Sequence, residues 1–197
     1  MKRYRTLTGL KRDQAVCRAC VLAGHPLESL PVIAPGGGQR AYLFGQAPGV
    51  VEGEERRPWR GRAGQTLRRW LGLGEDEFYA TFYCASVTRC YPGRAPSGRG
   101  DRTPTPAERR LCEHWRDDEL RLLRPRLVVP VGGLALQSLL GTHSVSESVG
   151  RRFEAHGAVV VPLPHPSGAS AWLNDPRNRA RVTDAVALIA DALATLG

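Results

Sequence analysis

The residues most able to do chemistry in this sequence are five cysteines, one glycine-rich loop and one histidine in a proline-bounded turn. Cys17 and Cys20 stand two residues apart, a spacing that lets one turn of chain present both sulfurs to one metal. Cys90 and Cys112 bracket a loop rich in Arg, Gly and Pro. Four sulfurs suit zinc and a 4Fe-4S cluster alike, and buried thiols with no metal are the plain alternative. Cys84 lies six residues before Cys90 on an expected strand, where its side chain can share a face with Cys90 and yet belong to the core. An odd cysteine count containing a Cys-x-x-Cys pair reads poorly as a disulfide framework.

The second signal is Gly45-Gln46-Ala47-Pro48-Gly49, directly after an apolar run. In open α/β folds ligands bind at such junctions, at the carboxyl edge of the sheet. The glycine spacing is neither that of a phosphate-binding Walker loop nor that of a dinucleotide fingerprint, and a tight turn is the plain alternative. The third is His165-Pro166-Ser167-Gly168, after another apolar run. A neutral histidine there could donate a hydrogen bond to a developing anion, or it could simply cap the turn. Ser167 lacks the Gly-x-Ser-x-Gly context of a hydrolase nucleophile.

These residues need a scaffold that brings loops to one edge. Apolar runs at 41–45, 78–88, 127–131 and 158–163 predict four strands, and helical periodicity is expected at 64–73, 105–123, 133–140 and 178–196. Thr105, Pro106 and Glu108 stand at capping spacing. This alternation predicts an α/β fold, a three-layer α/β/α sandwich with a short, mainly parallel central sheet. At 197 residues, one domain over residues 1–197 is expected. The 28 basic residues against 19 acidic ones give +9, which points to a polyanionic partner or to a merely basic surface. Lysine occurs only at positions 2 and 11. The loop 92–106 is either a surface excursion or a basic arm along a phosphate backbone. No apolar stretch is long enough to span a bilayer, and no secretory signal opens the chain, so a cytoplasmic protein without membrane contact is expected.

Taken in order, the motifs resemble the uracil-DNA glycosylase superfamily. They are the Cys-x-x-Cys pair, Gly-Gln-Ala-Pro-Gly, Arg57-Pro58-Trp59 with Gly61-Arg62-Ala63-Gly64, the strand ending in Cys90, the Pro-Thr-Pro-Ala-Glu helix carrying Cys112, Val131-Gly132, and His165-Pro166-Ser167. The iron-sulfur branch, family 4, is most similar, with family 5 next. The resemblance implies that Cys17, Cys20, Cys90 and Cys112 hold a 4Fe-4S cluster rather than zinc, leaving Cys84 as bystander. It implies that the loop from Gly45 to Gly49, with Gln46 and Ala47, positions the attacking water and binds uracil. Trp59 takes the place of the aromatic that stacks on the base, and His165 stabilises charge on the departing uracil. The segment from Ser167 to Trp172 takes the place of the loop that enters the minor groove.

Two positions depart from the family pattern. Gln46 stands where family 4 usually has glutamate, and Ser86 where an asparagine commonly reads the uracil edge; the family 5 aspartate falls near Arg62. Gln46 orients a water but cannot take its proton, which leaves Glu52 as the nearest acid in the loop. The implied function is a monofunctional DNA glycosylase acting on deoxyuridine in DNA, single or double stranded, as a monomer associated with the nucleoid. The alternative is a catalytically weak or inactive protein of this fold that binds uracil-containing or abasic DNA. Arg62, Arg68, Arg69, Arg94, Arg99 and Arg102 are candidate phosphate contacts.

Overall fold

A computed structural model describes residues 3–27, 30–98, 100–141, 144–167 and 171–196. The elements in chain order are α1 (Leu7–Ala15), α2 (Ala19–Leu22), β1 (Ala41–Gly45), α3 (Val50–Glu55), α4 (Arg62–Leu71), α5 (Glu75–Thr81), β2 (Phe82–Ser86), α6 (Pro106–Leu123), β3 (Leu127–Pro130), α7 (Gly133–Leu140), α8 (Val145–Ser148), β4 (Phe153–Ala155), β5 (Ala158–Val160), a 3-10 turn (Ala171–Asn174) and α9 (Pro176–Ala194). The sheet order is β2-β1-β3-β5-β4. The first three pairings are parallel, and β4 alone runs antiparallel, at the edge.

The apolar run of β1 is buried along its whole length because the central strand of a parallel sheet is covered on both faces. Alternation along the strands sorts the core into two layers. Leu43, Phe82, Cys84 and Val129 face Leu67 of α4, Phe78 of α5 and Val182 and Ile189 of α9. Tyr42, Phe44, Tyr83 and Val128 face Leu120 of α6 and Leu139 of α7. The three-layer expectation holds.

Three local details differ from the sequence-based expectation. Residues 78–81, expected at the start of a strand, instead complete α5, whose first turn carries Glu75, Asp76 and Glu77 where a helix N-terminus favours negative charge. Regular strand β5 is shorter than the apolar run, ending at Val160 where its pairing with β4 stops; on the β3 side the bonding runs on, with the Val161 N–H donating to Val128 O at 3.0 Å and the Leu163 N–H to Pro130 O at 2.9 Å, so Pro162 interrupts no bond to β3. The added strand β4 reaches β5 through His156 and Gly157, both at positive φ, as a two-residue hairpin turn requires. The cap of α6 is as expected: Thr105 Oγ1 accepts from the Glu108 N–H, and the Glu108 carboxylate accepts from the Thr105 N–H.

Between sheet and α6 lies a buried polar cluster. The Glu119 carboxylate accepts hydrogen bonds from Arg89 at 2.6 Å, Tyr42 at 2.6 Å, Gln14 at 2.7 Å and Tyr83 at 3.3 Å. Four donors and one opposite charge satisfy a carboxylate that burial would otherwise penalise heavily; removing one member of such a pair typically costs about 3–5 kcal/mol. This cluster ties α1, β1, β2 and α6 together one residue before Cys90.

Candidate active site and cysteine cluster

The carboxyl edge of the sheet gathers the candidate residues. β1 ends at Gly45, and the loop 46–49 runs from it into α3. The chain leaving β2 is fastened to this loop: the Val87 N–H donates to Gly45 O at 2.9 Å and the Thr88 N–H to Gln46 O at 3.2 Å. Trp59 lies directly over Gly45, where a Cβ would come within 2.8 Å of the indole ring. Trp59 itself has a left-handed backbone, φ 60°, unusual for a bulky residue. Arg68 holds it there by donating to the Trp59 carbonyl at 2.8 Å, and only a glycine at position 64 leaves room, since a Cβ there would sit 1.8 Å from that oxygen. Strain of this kind persists only where the surroundings fix it.

Glu52 is buried, and both its oxygens are engaged by backbone. Oε2 accepts from the Gly49 N–H at 3.0 Å and Oε1 from the Gly61 N–H at 2.7 Å. The carboxylate therefore caps α3 and clamps the glycine loop to the start of α4. Its geometry is that of a residue positioning two segments.

His165 follows the Val131–Leu163 bridge and stands against Gly132, where a Cβ would lie 3.4 Å from the His165 Cβ. Burial lowers its pKa, with Asp101 and Glu52 close enough to act in the opposite sense. Nδ1 accepts from the Ser167 N–H at 3.3 Å and lies 2.9 Å from Ser167 Oγ. With Nδ1 as acceptor, these hydrogen bonds assign the ring proton of a neutral imidazole to Nε2.

Asp101, the one carboxylate among residues 92–106, belongs to no motif legible in the sequence. The loop folds back on itself, with Arg94 and Asp101 paired in an antiparallel bridge. Asp101 Oδ1 accepts from the Tyr91 hydroxyl at 3.1 Å, and Oδ2 lies 3.3 Å from where a Gly49 Cβ would be. An exposed carboxylate thus sits beside the glycine loop and within electrostatic reach of His165.

The arginines divide in two. Arg102 makes a bidentate pair with Glu108 at 2.8 and 2.6 Å, and Arg68 is committed to Trp59, so both serve the protein's own structure. Arg62, Arg69 and Arg94 are exposed. Arg99 lies outside the described residues, as does the stretch 168–170 of the expected minor-groove segment.

Cys17, Cys20, Cys90 and Cys112 lie within electrostatic reach of one another. Cys20 and Cys112 interact directly, and the Arg89 N–H donates to Cys112 and helps to lower its pKa. Cys90 is pushed up to about 12, first by burial and then by Cys112. Cys17 acts electrostatically on both Cys20 and Cys90. Cys84 lies apart, in the core layer on the opposite sheet face, its thiol pushed up by burial. Among the described residues no three His, Cys, Asp or Glu side chains close tightly around a single ion position. The donor set is four soft sulfurs in an apolar shell of Tyr4, Leu27, Leu111 and Trp115. That chemistry fits an iron-sulfur group, whose irons each take a separate thiolate.

The profile of the uracil DNA glycosylase superfamily matches residues 34–188. A type-4 uracil-DNA glycosylase of Thermotoga maritima is 30% identical over 158 residues, covering 77% of this chain and 76% of that protein. A type-5 uracil-DNA glycosylase of Thermus thermophilus is 34% identical over 171 residues, covering 78% and 72%. A type-4 uracil-DNA glycosylase of Sulfurisphaera tokodaii is 25% identical over 178 residues, covering 83% and 76%.

Proposed function

The chain belongs to the uracil-DNA glycosylase superfamily, and from that membership we propose that it hydrolyses the N-glycosidic bond of deoxyuridine in DNA and leaves an abasic site. The observation that carries this reading is the meeting of the glycine loop, Trp59, Ser86, His165 and Asp101 at one sheet edge.

A base inside a duplex is out of reach, so the nucleotide must be flipped out, at a cost of a few kcal/mol that contacts to phosphate offset. Exposed Arg62, Arg69 and Arg94 are the proposed phosphate contacts. In the slot the Trp59 ring offers a face for stacking. As the C1′–N1 bond breaks, its electron pair moves onto uracil and positive charge grows on the sugar. His165 Nε2–H donates to the uracil O2, where negative charge accumulates. Gln46 orients a water toward C1′, and the Asp101 carboxylate both stabilises the sugar cation and takes the water's proton. Gln46 therefore does not have to act as the acid. Because burial already keeps His165 neutral, the excision rate is expected to stay level from about pH 8 down through about pH 6.5, and to fall only below that. The unfolded chain takes up this proton first, so stability contributed by His165 is lost as pH drops below about 6.5. A pH profile of single-turnover rates, with unfolding measured in parallel, checks both.

Cys17, Cys20, Cys90 and Cys112 are proposed to hold a 4Fe-4S cluster. Bound there it would cross-link α2, the segment after β2 and α6; hydrolysis asks no electron of it. The four side chains thereby fix the base of the loop that carries Asp101. No described helix is long and apolar enough to cross a membrane. The reading places the protein with DNA in the cytoplasm, as a monomer of one domain.

Strand cleavage by β-elimination calls for an amine in the site. Lys11 is occupied with the carbonyls of Pro35 at 3.3 Å and Gly36 at 2.7 Å, and Lys2 lies outside the described residues. An oligonucleotide with a single uracil is therefore expected to become alkali-labile at that position and to remain unbroken without alkali. Binding without release of uracil would replace catalysis by the sensor reading; breaks without alkali would overturn monofunctional chemistry.

A further inference from the structure

We propose that Ser86 selects the base through a hydroxyl that accepts a hydrogen bond and has none to donate, so that the protein reads the ring N3–H of uracil and leaves the 4-position unread by this residue. The inference rests on the reading of this edge as the uracil site.

Placement comes from register. Ser86 is the last residue of β2 and pairs with Gly45 of β1. Side chains two apart along a strand share a face. Phe82 and Cys84 face the core layer that includes Leu43 and takes Trp59 against it, so Ser86 and Gly45 continue that face at the open end of the sheet. Trp59 covers Gly45. Half-buried Ser86 is thus the neighbouring strand's side chain beside the aromatic platform.

The hydroxyl is not free to choose its role. Ser86 Oγ donates to the Thr88 carbonyl at 2.7 Å. That carbonyl does not drift, because Thr88 is fully buried and its N–H is held by Gln46 O. A serine hydroxyl has one proton and two lone pairs. Turning the proton toward a ligand would strand the Thr88 carbonyl, so what Ser86 shows the base is lone pairs. Uracil presents an N–H at ring position 3, which those lone pairs accept. Cytosine presents a lone pair there and is repelled. An asparagine at this position would have offered a carbonyl to N3–H and an amide proton to O4 together; Ser86 covers the first and omits the second.

The substrate class is therefore bases with a protonated ring nitrogen at this position, with tolerance at the adjoining exocyclic atom. The test is single-turnover excision of uracil and of 4-thiouracil, whose sulfur is a poor acceptor but whose ring is the better leaving group. Wild type is expected to release 4-thiouracil no slower than uracil. Ser86→Ala should slow uracil release about tenfold, with Ser86→Thr, which keeps the hydroxyl, within about threefold of wild type. Ser86→Asn should introduce discrimination, slowing 4-thiouracil relative to uracil by about tenfold. Wild type that already releases 4-thiouracil tenfold slower would overturn the proposal, as would a Ser86→Ala protein with the uracil rate of wild type. Either result leaves uracil excision itself standing. Wild type that releases no uracil removes the underlying reading, and this one with it. If Ser86→Ala fails to fold, the wild-type comparison and Ser86→Thr still decide.

Discussion

Asp101→Asn is expected to slow uracil excision by about a hundredfold or more in single turnover, with little change in DNA binding. Asparagine keeps the shape of the side chain and an oxygen for the Tyr91 hydroxyl, so the loop geometry survives while the negative charge disappears. What is lost is the attraction to a sugar cation that exists only near the transition state, and the acceptor for the water's proton. Of the two carboxylates close to His165, Asp101 alone is exposed to the site; those of Glu52 are already taken by Gly49 and Gly61. A variant within threefold of wild type would remove Asp101 from the chemistry and return the question to Glu52 or to Gln46. Equal losses in binding and rate would mark a contact to the substrate with no preference for the transition state.

Cys112→Ser should give the largest structural effect. The protein is expected to lose iron, sulfide and brown colour together and to unfold about ten degrees or more below wild type, as follows when a site whose binding contributes several kcal/mol to folding is lost. Cys112 sits on α6, accepts the Arg89 N–H, and lies within electrostatic reach of Cys20 and Cys90, so losing its sulfur opens the set at its helix. Cys84→Ser is the control, because Cys84 is equally buried but lies across the sheet. It should keep iron and colour and show only the cost of a hydroxyl in an apolar layer. Iron, sulfide and zinc analysis beside thermal unfolding distinguishes these outcomes. A colourless, zinc-bearing wild type with full activity would overturn the cluster assignment, and Cys84→Ser losing its iron would overturn the choice of ligands.

The amino-acid sequence by itself determined the parts of this protein that depend on short-range spacing. A Cys-x-x-Cys pair, a glycine loop after a five-residue apolar run, and a Thr-Pro-x-Glu cap are each legible because neighbours along the chain must be neighbours in space. The four parallel strands followed from apolar runs of the right length, while β4, only three residues long and barely half-buried, left no such run to read. Residues 78–81 read as strand because Phe78 and Tyr79 are as apolar in a helix as in a sheet; the acidic turn before them decides for the helix.

Only the tertiary structure decided what each polar atom is doing. From the sequence Glu52 and Asp101 are two carboxylates in two segments; folding spends the oxygens of one on backbone N–H groups and leaves the other exposed beside the glycine loop, within electrostatic reach of His165. Arg68 and Arg102 looked like arms for phosphate until Trp59 and Glu108 claimed them. Ser86 was one hydroxyl in place of an amide, and the Thr88 carbonyl fixed which half of that hydroxyl faces outward. The physical reason is common to all of these. A residue's type sets how many protons and lone pairs it has, but which of them remain for a ligand depends on partners the backbone brings from elsewhere in the chain.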